Sequence, residues 1–167
     1  MKGLDGASYG FQGVYLRKGE KKMGKEVRGL AHVAFNVSDM ERSIRFYQEA
    51  FGFEKAFELA HPNTGEPWIV YLHAAGGQFL ELFYGGIHAS EYKDENIGFS
   101  HICLEVSDIH AAAKRLEQVG APLDSPVRQG MDLNWQCWTR DPDNNRIELM
   151  QMDENSAQMR FLKEHAE

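Results

Sequence analysis

An internal repeat constrains the fold more than any other feature of this sequence. The segment Leu30–Asp39, LAHVAFNVSD, is echoed by Phe99–Asp108, FSHICLEVSD, so that His101 repeats His32 at an offset of 69 residues. In each copy, apolar side chains alternate with smaller or polar ones, which is typical of a half-buried β-strand, and the copy ends in Val-Ser-Asp. Self-similarity of this kind indicates two copies of one supersecondary unit.

A helical pattern follows each of these strands. Apolar residues recur at helical spacing over residues 40–51 and 109–119, and a glycine comes directly after each pattern. Ser38 and Glu41 form a capping-box pattern, which predicts that the Ser38 side chain caps the first helix.

Three more strand patterns follow each helix, separated by residues that favour turns. They cover residues 53–59, 68–73 and 78–84, and then 123–128, 134–140 and 146–152. The sequence therefore predicts an α+β fold built from two tandem βαβββ modules. We divide the chain into a flexible N-terminal extension, a first module, a second module and a C-terminal helical tail, at residues 1–28, 29–92, 97–152 and 153–167.

Alternation along the strands assigns each side chain to one face of its sheet. In the first strand Val33, Phe35 and Val37 share an apolar face, which we expect to pack on the helix. The same alternation in the second module, and in the closing strand of each module, leaves four ionisable side chains on the helix-free face. These are His32, Glu81, His101 and Glu148.

Two imidazoles and two carboxylates suit a divalent metal ion. A pseudo-twofold relation between the modules would bring the two His–Glu pairs together, within one chain or across a dimer. Taken singly, each residue has an ordinary explanation as a hydrogen-bonded core histidine or a solvent-reaching glutamate. The repetition of both residue types favours one bound ion, and ligand type does not distinguish Zn, Ni, Co, Mn and Fe.

Charge and hydropathy limit the possible partners. The 167 residues carry a formal net charge of -7, which argues against nucleic-acid binding, and the basic segment 17–28 is interpreted as a solvated tail. No apolar run approaches the roughly 18 residues of a membrane span, and the N-terminus lacks a secretory signal. We therefore expect a cytoplasmic protein with no membrane partner, in which Cys103 and Cys137 stay reduced.

Five motifs carry a resemblance to a known family. They are Leu30–Asp39, Arg45–Phe53, Phe79–Phe83, Gly98–Ile102 and Asp141–Leu149. On these motifs, residues 29–152 resemble the vicinal oxygen chelate (glyoxalase/bleomycin resistance/dioxygenase) superfamily, and are most similar to glyoxalase I (lactoylglutathione lyase)-like proteins. The resemblance implies a cupped, partly open β-sheet with the helices outside. It also implies one divalent ion, held in sequence order by His32, Glu81, His101 and Glu148.

The function implied by the resemblance is that of a metal-dependent lyase or isomerase. Its substrate would be a small molecule with vicinal oxygens that reacts through a metal-stabilised enediolate. Glu148 would be the catalytic base, with Glu81 as its partner on the opposite side. Asn36 stands where glyoxalase I usually has an arginine for the glutathione carboxylate, which makes glutathione dependence doubtful.

The alternative is a resistance-type protein that binds a small molecule, or a three-ligand dioxygenase or transferase of the same superfamily. Three-ligand members do not need the position of Glu81, so its presence favours the four-ligand isomerases and epimerases. Family members commonly pair, which implies a homodimer. Candidate substrate-binding residues lie on or beside the ligand face: Asn36, Phe79, Phe83, Cys103, Gln136 and Trp138.

Overall fold

The structure is a computed structural model that describes residues 26–27, 29–88, 93, 95 and 97–165. The extension predicted over residues 1–28 lies outside the described residues except at 26 and 27. In the described ranges, no helix combines the length and the apolar character needed to cross a membrane.

Both modules have the predicted βαβββ order. The first contains β1 (His32–Asn36), α1 (Met40–Phe51), β2 (Glu54–Ala60), β3 (Pro67–Ala75) and β4 (Gln78–Phe83). The second contains β5 (Ile102–Glu105), α2 (Ile109–Gln118), β6 (Ser125–Gln129), β7 (Trp135–Arg140) and β8 (Arg146–Gln151). A short helix, α3 (Ala157–Glu164), follows in the predicted tail. The α+β class and the duplicated module are confirmed.

The strands form two four-stranded mixed sheets, in the orders β1-β4-β3-β2 and β5-β8-β7-β6. The first and last strands of each module are parallel neighbours, and the remaining pairs are antiparallel. Ala34 lies opposite Glu81 in the first sheet, and Cys103 lies opposite Glu148 in the second. The two sheets therefore repeat the same register at equivalent positions.

Buried residues of each helix share one core cluster with the apolar faces of the sheets, and the two helices contact each other. Side chains from both modules join in one core cluster, because the helices bring the modules together. Its most deeply buried members include Tyr47, Leu72, Leu80, Leu82, Leu116, Ile147 and Leu149. Burial of this apolar surface is the main source of stability for both modules.

Asp39, and not Ser38, caps α1. The Asp39 carboxylate accepts the backbone N–H of Arg42 at 3.0 Å, so the capping-box prediction was wrong. Ser38 instead donates its hydroxyl to Asp143 of the second module, which also accepts the Ser38 backbone N–H at 3.2 Å. Ser38 is therefore engaged by a residue 105 positions away in the sequence, and the neighbouring Asp39 caps the helix.

The turn at residues 141–145 docks the second module on α1. Asp143 accepts from Arg42 at 3.0 Å, close to the positive end of the helix. Tyr47, which is fully buried, donates its hydroxyl to Asp141 at 2.9 Å. Asn144 adopts a left-handed backbone conformation with φ 69, which asparagine tolerates. These polar contacts fix how the two modules meet.

Removing the Tyr47 hydroxyl should loosen this docking. Tyr47→Phe leaves the apolar packing intact but deprives buried Asp141 of a donor, which we expect to lower the free energy of unfolding by about 1–3 kcal/mol. Tyr84→Phe is the matched control, because Tyr84 donates to Glu58 at an exposed site and should change stability by less than about 0.5 kcal/mol. Urea unfolding measures both, and equal effects would contradict a docking role for Tyr47.

Tyr47 should also make stability depend on alkaline pH. Burial, and then the Asp141 carboxylate, raise the pKa of Tyr47 well above its usual value. Above about pH 10 the unfolded chain releases this proton while the folded chain retains it, so stability falls as pH rises. In the Tyr47→Phe variant the free energy of unfolding should fall less steeply with pH than in the wild type. The two slopes should differ by up to about 1.4 kcal/mol per pH unit. Urea unfolding between about pH 9 and 11 tests this, and identical slopes would contradict it.

Candidate metal centre

The first His–Glu pair lies on the helix-free face of the first sheet. His32 begins β1 and Glu81 is in the middle of β4, and the parallel register brings His32 Nε2 within 3.4 Å of Glu81 Oε2. Glu81 is only 6% exposed, whereas the His32 side chain is 46% exposed. Tyr71, which pairs with Glu81 across β3 and β4, lies edge-on to the His32 ring at 6.2 Å.

The second His–Glu pair repeats this arrangement. His101, directly before β5, places Nε2 at 3.2 Å from Oε2 of Glu148 on β8, and Glu148 is also 6% exposed. The other ring nitrogen of His101 lies 3.1 Å from the Ser100 hydroxyl, an outer contact of the kind that orients a ligating histidine. The ring of Trp138 lies edge-on at 4.7 Å.

The donor set of each pair fits one divalent ion. Two ligand atoms that bind an ion at about 2.1 Å and subtend about 90–110° are separated by roughly 3.0–3.4 Å. The pairs measure 3.4 and 3.2 Å, so each has the spacing of two adjacent ligands. A buried carboxylate is costly unless a positive charge or hydrogen-bond donors compensate it. The chemistry of the residues therefore suits a metal ion.

The two pairs do not meet within one chain. Among the described residues, no three histidine, cysteine, aspartate or glutamate side chains are close enough together to hold a metal ion. The first and second sheets share no strand pairing in this part of the chain. One chain therefore presents two separate half-sites, each with one histidine and one glutamate, and the four-ligand centre stays a prediction.

Aromatic rings surround the first half-site. Phe79 and Phe83 flank Glu81 on its own face, as the alternation predicted. Phe57 stacks on Tyr71 at 4.4 Å between ring centroids, and Phe79 contacts both rings. Sequence reasoning missed Phe57, because its position depends on a register shift between β2 and β3 that has no local signal.

Asn36 and Cys103 occupy different surroundings. Asn36 lines a cleft of about 1020 Å³ where β1 faces the turn at 142–146, next to Phe35 and Arg146. Cys103 lies opposite Glu148. Partial burial, and then the Glu148 carboxylate, raise the pKa of the Cys103 thiol to about 12.

Gln136 and Trp138 form one unit beside the second half-site. The Trp138 indole N–H donates to the Gln136 side-chain oxygen at 3.1 Å. The Gln136 amide approaches Gly130 so closely that a Cβ there would lie 2.2 Å from Nε2. Arg146 places its guanidinium over the Trp138 ring at 4.7 Å, a cation–π geometry. Sequence reasoning did not single out Arg146 or its neighbour Arg128.

Comparison with known proteins identifies the family. A model of the glyoxalase/bleomycin resistance protein/dioxygenase superfamily matches residues 29–149, and the chain belongs to this superfamily. A probable lactoylglutathione lyase of Vibrio parahaemolyticus is 29% identical over 137 residues, covering 77% of this chain and 94% of that protein. The lactoylglutathione lyase of Schizosaccharomyces pombe is 27% identical over 145 residues, covering 75% of this chain and 48% of that protein.

Solved structures support the fold. A glyoxalase family protein from Enterococcus faecalis has a TM-score of 0.64 and 27% identity, covering 74% of this chain and 97% of that chain. The lactoylglutathione lyase from Agrobacterium tumefaciens has a TM-score of 0.57 and 21% identity, covering 76% of this chain and 96% of that chain. At that identity the second likeness concerns the fold alone.

Gly130→Ala should disturb the Gln136–Trp138 unit without unfolding the protein. The new methyl group would clash with the flexible end of Gln136 and would lie 2.6 Å from Asp132 Oδ1, so the Trp138 indole N–H loses its acceptor while stability falls by about 1–3 kcal/mol. Gly77→Ala is the control, because a Cβ there meets nothing within 4 Å. Nuclear magnetic resonance of the indole N–H groups measures the change. A Trp138 signal that stays in place in Gly130→Ala would contradict this close approach.

Proposed function

We propose that this protein is a metal-dependent lyase or isomerase of the glyoxalase I type, in which two chains share each metal centre. His32 and Glu81 of one chain would bind the ion together with His101 and Glu148 of a second chain. The observation that carries the proposal is the pair of equivalent half-sites. Each has the spacing of two adjacent ligands, and one chain keeps the two halves apart.

Exposed side chains on the first sheet support a homodimer. Phe57 and Leu59 are 45% and 41% exposed on β2, next to the half-site of His32 and Glu81. Apolar surface that adjoins a functional site is a common sign of a protein interface. A twofold dimer repeats each contact, so that two half-sites of each kind combine into two complete centres.

The chemistry follows from the four ligands and the buried carboxylates. A bound divalent ion would act as a Lewis acid toward two adjacent oxygens of the substrate. Glu148 would accept the proton of the substrate carbon next to a carbonyl and return it to the neighbouring carbon, which moves a hydrogen without a change in composition. Glu81 would occupy the equivalent position on the opposite side. The rings of Phe79 and Trp138 would exclude water from the reacting carbons.

The names of the relatives support a hemithioacetal as the substrate class. Lactoylglutathione lyases from bacteria and yeast match most of the region that contains the four ligands. Asn36 in the place of an arginine argues that a smaller thiol adduct replaces the glutathione adduct.

A complementation experiment tests the shared centre. His32→Ala destroys one half-site and His101→Ala destroys the other, so a heterodimer of the two variants keeps one intact centre out of two. We expect about one divalent ion per wild-type chain, almost none in either variant homodimer, and about one ion per purified heterodimer. Isomerisation of methylglyoxal hemithioacetals should return with the metal. Plasma mass spectrometry and two affinity tags on the co-expressed chains provide the measurement.

His110→Ala is the matched control, because His110 lies on α2 away from both half-sites and should leave the metal content unchanged. A heterodimer without metal, when the wild type binds one ion per chain, would place the centre within a single chain. A wild-type protein that takes up no ion after reconstitution with Zn, Ni, Co and Mn would overturn the metal-dependent function.

A further inference from the structure

The turn that joins β6 to β7 has an unfavourable backbone conformation at one residue. We call residues 130–134 the β6–β7 turn, and residues 153–165 the C-terminal tail. Leu133 has φ 75, in the left-handed region that favours glycine and asparagine. A leucine stays in this region only where the surrounding structure holds it there. The hydrogen bonds of the β6–β7 turn therefore show what keeps Leu133 in place.

Part of the support comes from the hairpin itself. The Gly130 backbone N–H donates to the Asn134 carbonyl at 2.8 Å, and the Leu133 backbone N–H donates to the Gly130 carbonyl at 3.1 Å. The Gln129 side chain donates to the Leu133 carbonyl at 2.8 Å. Gln129 and Leu133 are exposed, so water competes for this last bond. The hairpin alone is therefore weak support for the left-handed residue.

The C-terminal tail supplies the buried support. Asn134 is fully buried, and its side-chain amide donates to Asp132 Oδ2 at 2.7 Å and to Gln158 Oε1 at 3.0 Å. The side-chain oxygen of Asn134 accepts the Asp153 backbone N–H at 3.0 Å. Gln158 Nε2 donates to Asp132 Oδ2 at 3.3 Å, and the Ala157 backbone N–H donates to the Asp132 carbonyl at 3.3 Å. The tail thus bonds to both residues that flank Leu133.

These polar contacts dominate the docking of the tail. None of the eight residues of α3 is buried, and a helix this short is marginal in water without tertiary contacts. Burial alone would raise the pKa of Asp132, but hydrogen bonds from Asn134 and Gln158 outweigh it and hold that pKa below its usual value. A charged carboxylate strengthens the hydrogen bonds that it accepts. Asp132 and Asn134 are therefore the main attachment of the tail.

The β6–β7 turn also contacts the residues beside the second half-site. The Gly130 backbone packs so closely on Gln136 that a Cβ at Gly130 would lie 2.2 Å from Gln136 Nε2. The Gln136 side-chain oxygen accepts the Trp138 indole N–H at 3.1 Å. Trp138 pairs with Glu148 across β7 and β8, and its ring lies 4.7 Å from that of His101. A continuous series of contacts therefore joins the C-terminal tail to the half-site.

We propose that Asn134 and Gln158 are positioning residues, through which the C-terminal tail holds Gln136 and Trp138 in place beside the second half-site. The tail keeps Leu133 in its left-handed conformation, which fixes the backbone of the turn against Gln136. When the tail is released, Leu133 relaxes and Gln136 loses the backbone on which it packs. The inference rests on the proposed function in one respect, that Gln136 and Trp138 contact the substrate.

Gln158→Leu in the full-length protein tests the proposal. It removes both hydrogen bonds from the Gln158 side chain to the β6–β7 turn, and leaves the helix propensity of α3 almost unchanged. The buried amide of Asn134 then loses a partner. We expect amide hydrogen exchange at Gly130 and Leu133 to become about tenfold faster or more. Nuclear magnetic resonance measures both amides.

The indole N–H signals report whether the effect reaches the half-site. In Gln158→Leu the signal of Trp138 should shift, while that of Trp68 in the first module stays in place and shows that the variant folds. Arg160→Gln is the matched control, because Arg160 lies on the same helix but donates to the Asn155 carbonyl within the tail. It should leave the Trp138 signal and the exchange rates of the turn unchanged.

A second substitution distinguishes positioning from a general loosening of the tail. Glycine adopts the left-handed conformation without a side-chain clash, so Leu133→Gly makes the turn less dependent on the tail. We expect the double variant Leu133→Gly/Gln158→Leu to return the Trp138 signal toward its wild-type position. In the proposed reaction, Gln158→Leu should raise KM about threefold or more with a smaller change in kcat, because the residues that it displaces bind the substrate and do not transfer the proton.

Three results would overturn the proposal: an unchanged Trp138 signal in Gln158→Leu, an equal shift in Arg160→Gln, or no recovery in the double variant. The exchange rates and indole signals require neither metal nor substrate, so they separate the two proposals. A protein that shows the expected shifts but takes up no divalent ion would support the positioning role of the tail and overturn the metal-dependent function. A protein that binds one ion per chain, but whose Trp138 signal does not respond, would do the opposite.

Discussion

The parallel pairing of the first and last strands of each module determines the candidate site. β1 lies beside β4 with Ala34 opposite Glu81, and β5 lies beside β8 with Cys103 opposite Glu148. In each sheet the histidine lies two residues before the residue that pairs with the glutamate. The histidine and glutamate side chains therefore project from the same face of the sheet. A slip of one residue would turn a glutamate into the helix-packed core, where an unpaired carboxylate is strongly unfavourable. The same apolar residues therefore specify register and ligand spacing: Leu80, Leu82, Ile147 and Leu149.

Stability and function make opposite demands on Glu81 and Glu148. Both carboxylates are almost fully buried, and each lies close to one imidazole. A neutral imidazole donates one hydrogen bond at most to a neighbouring carboxylate, which leaves much of the desolvation cost uncompensated. A divalent ion between the two pairs would neutralise both carboxylates at once. Metal binding and dimer formation would then stabilise the protein together, because neither half-site alone supplies four ligands.

Sequence reasoning reached the module order, the strand faces and the four candidate ligands because each depends on a local periodicity that occurs twice. It failed where distant contacts decide. The cap of α1 is Asp39, since Asp143 of the other module engages Ser38. Arg128 was missed because only a bulge in β6 brings it to the face of Trp138. Whether the His–Glu pairs meet within one chain depends on how the helices and the turn at 141–145 pack, which no local pattern encodes.

The two half-sites share their ligands but differ in their surroundings. The rings of Tyr71 and Phe79 adjoin Glu81, whereas Trp138, with the Arg146 guanidinium over its ring, pairs with Glu148. Metal coordination constrains the ligands equally in both modules, but it leaves the flanking residues free to differ. A substrate that reached both half-sites would meet a cluster of three rings on one side and an indole covered by a guanidinium on the other. That asymmetry makes the surroundings of the two carboxylates chemically distinct, so Glu81 and Glu148 need not share one role in the proposed reaction.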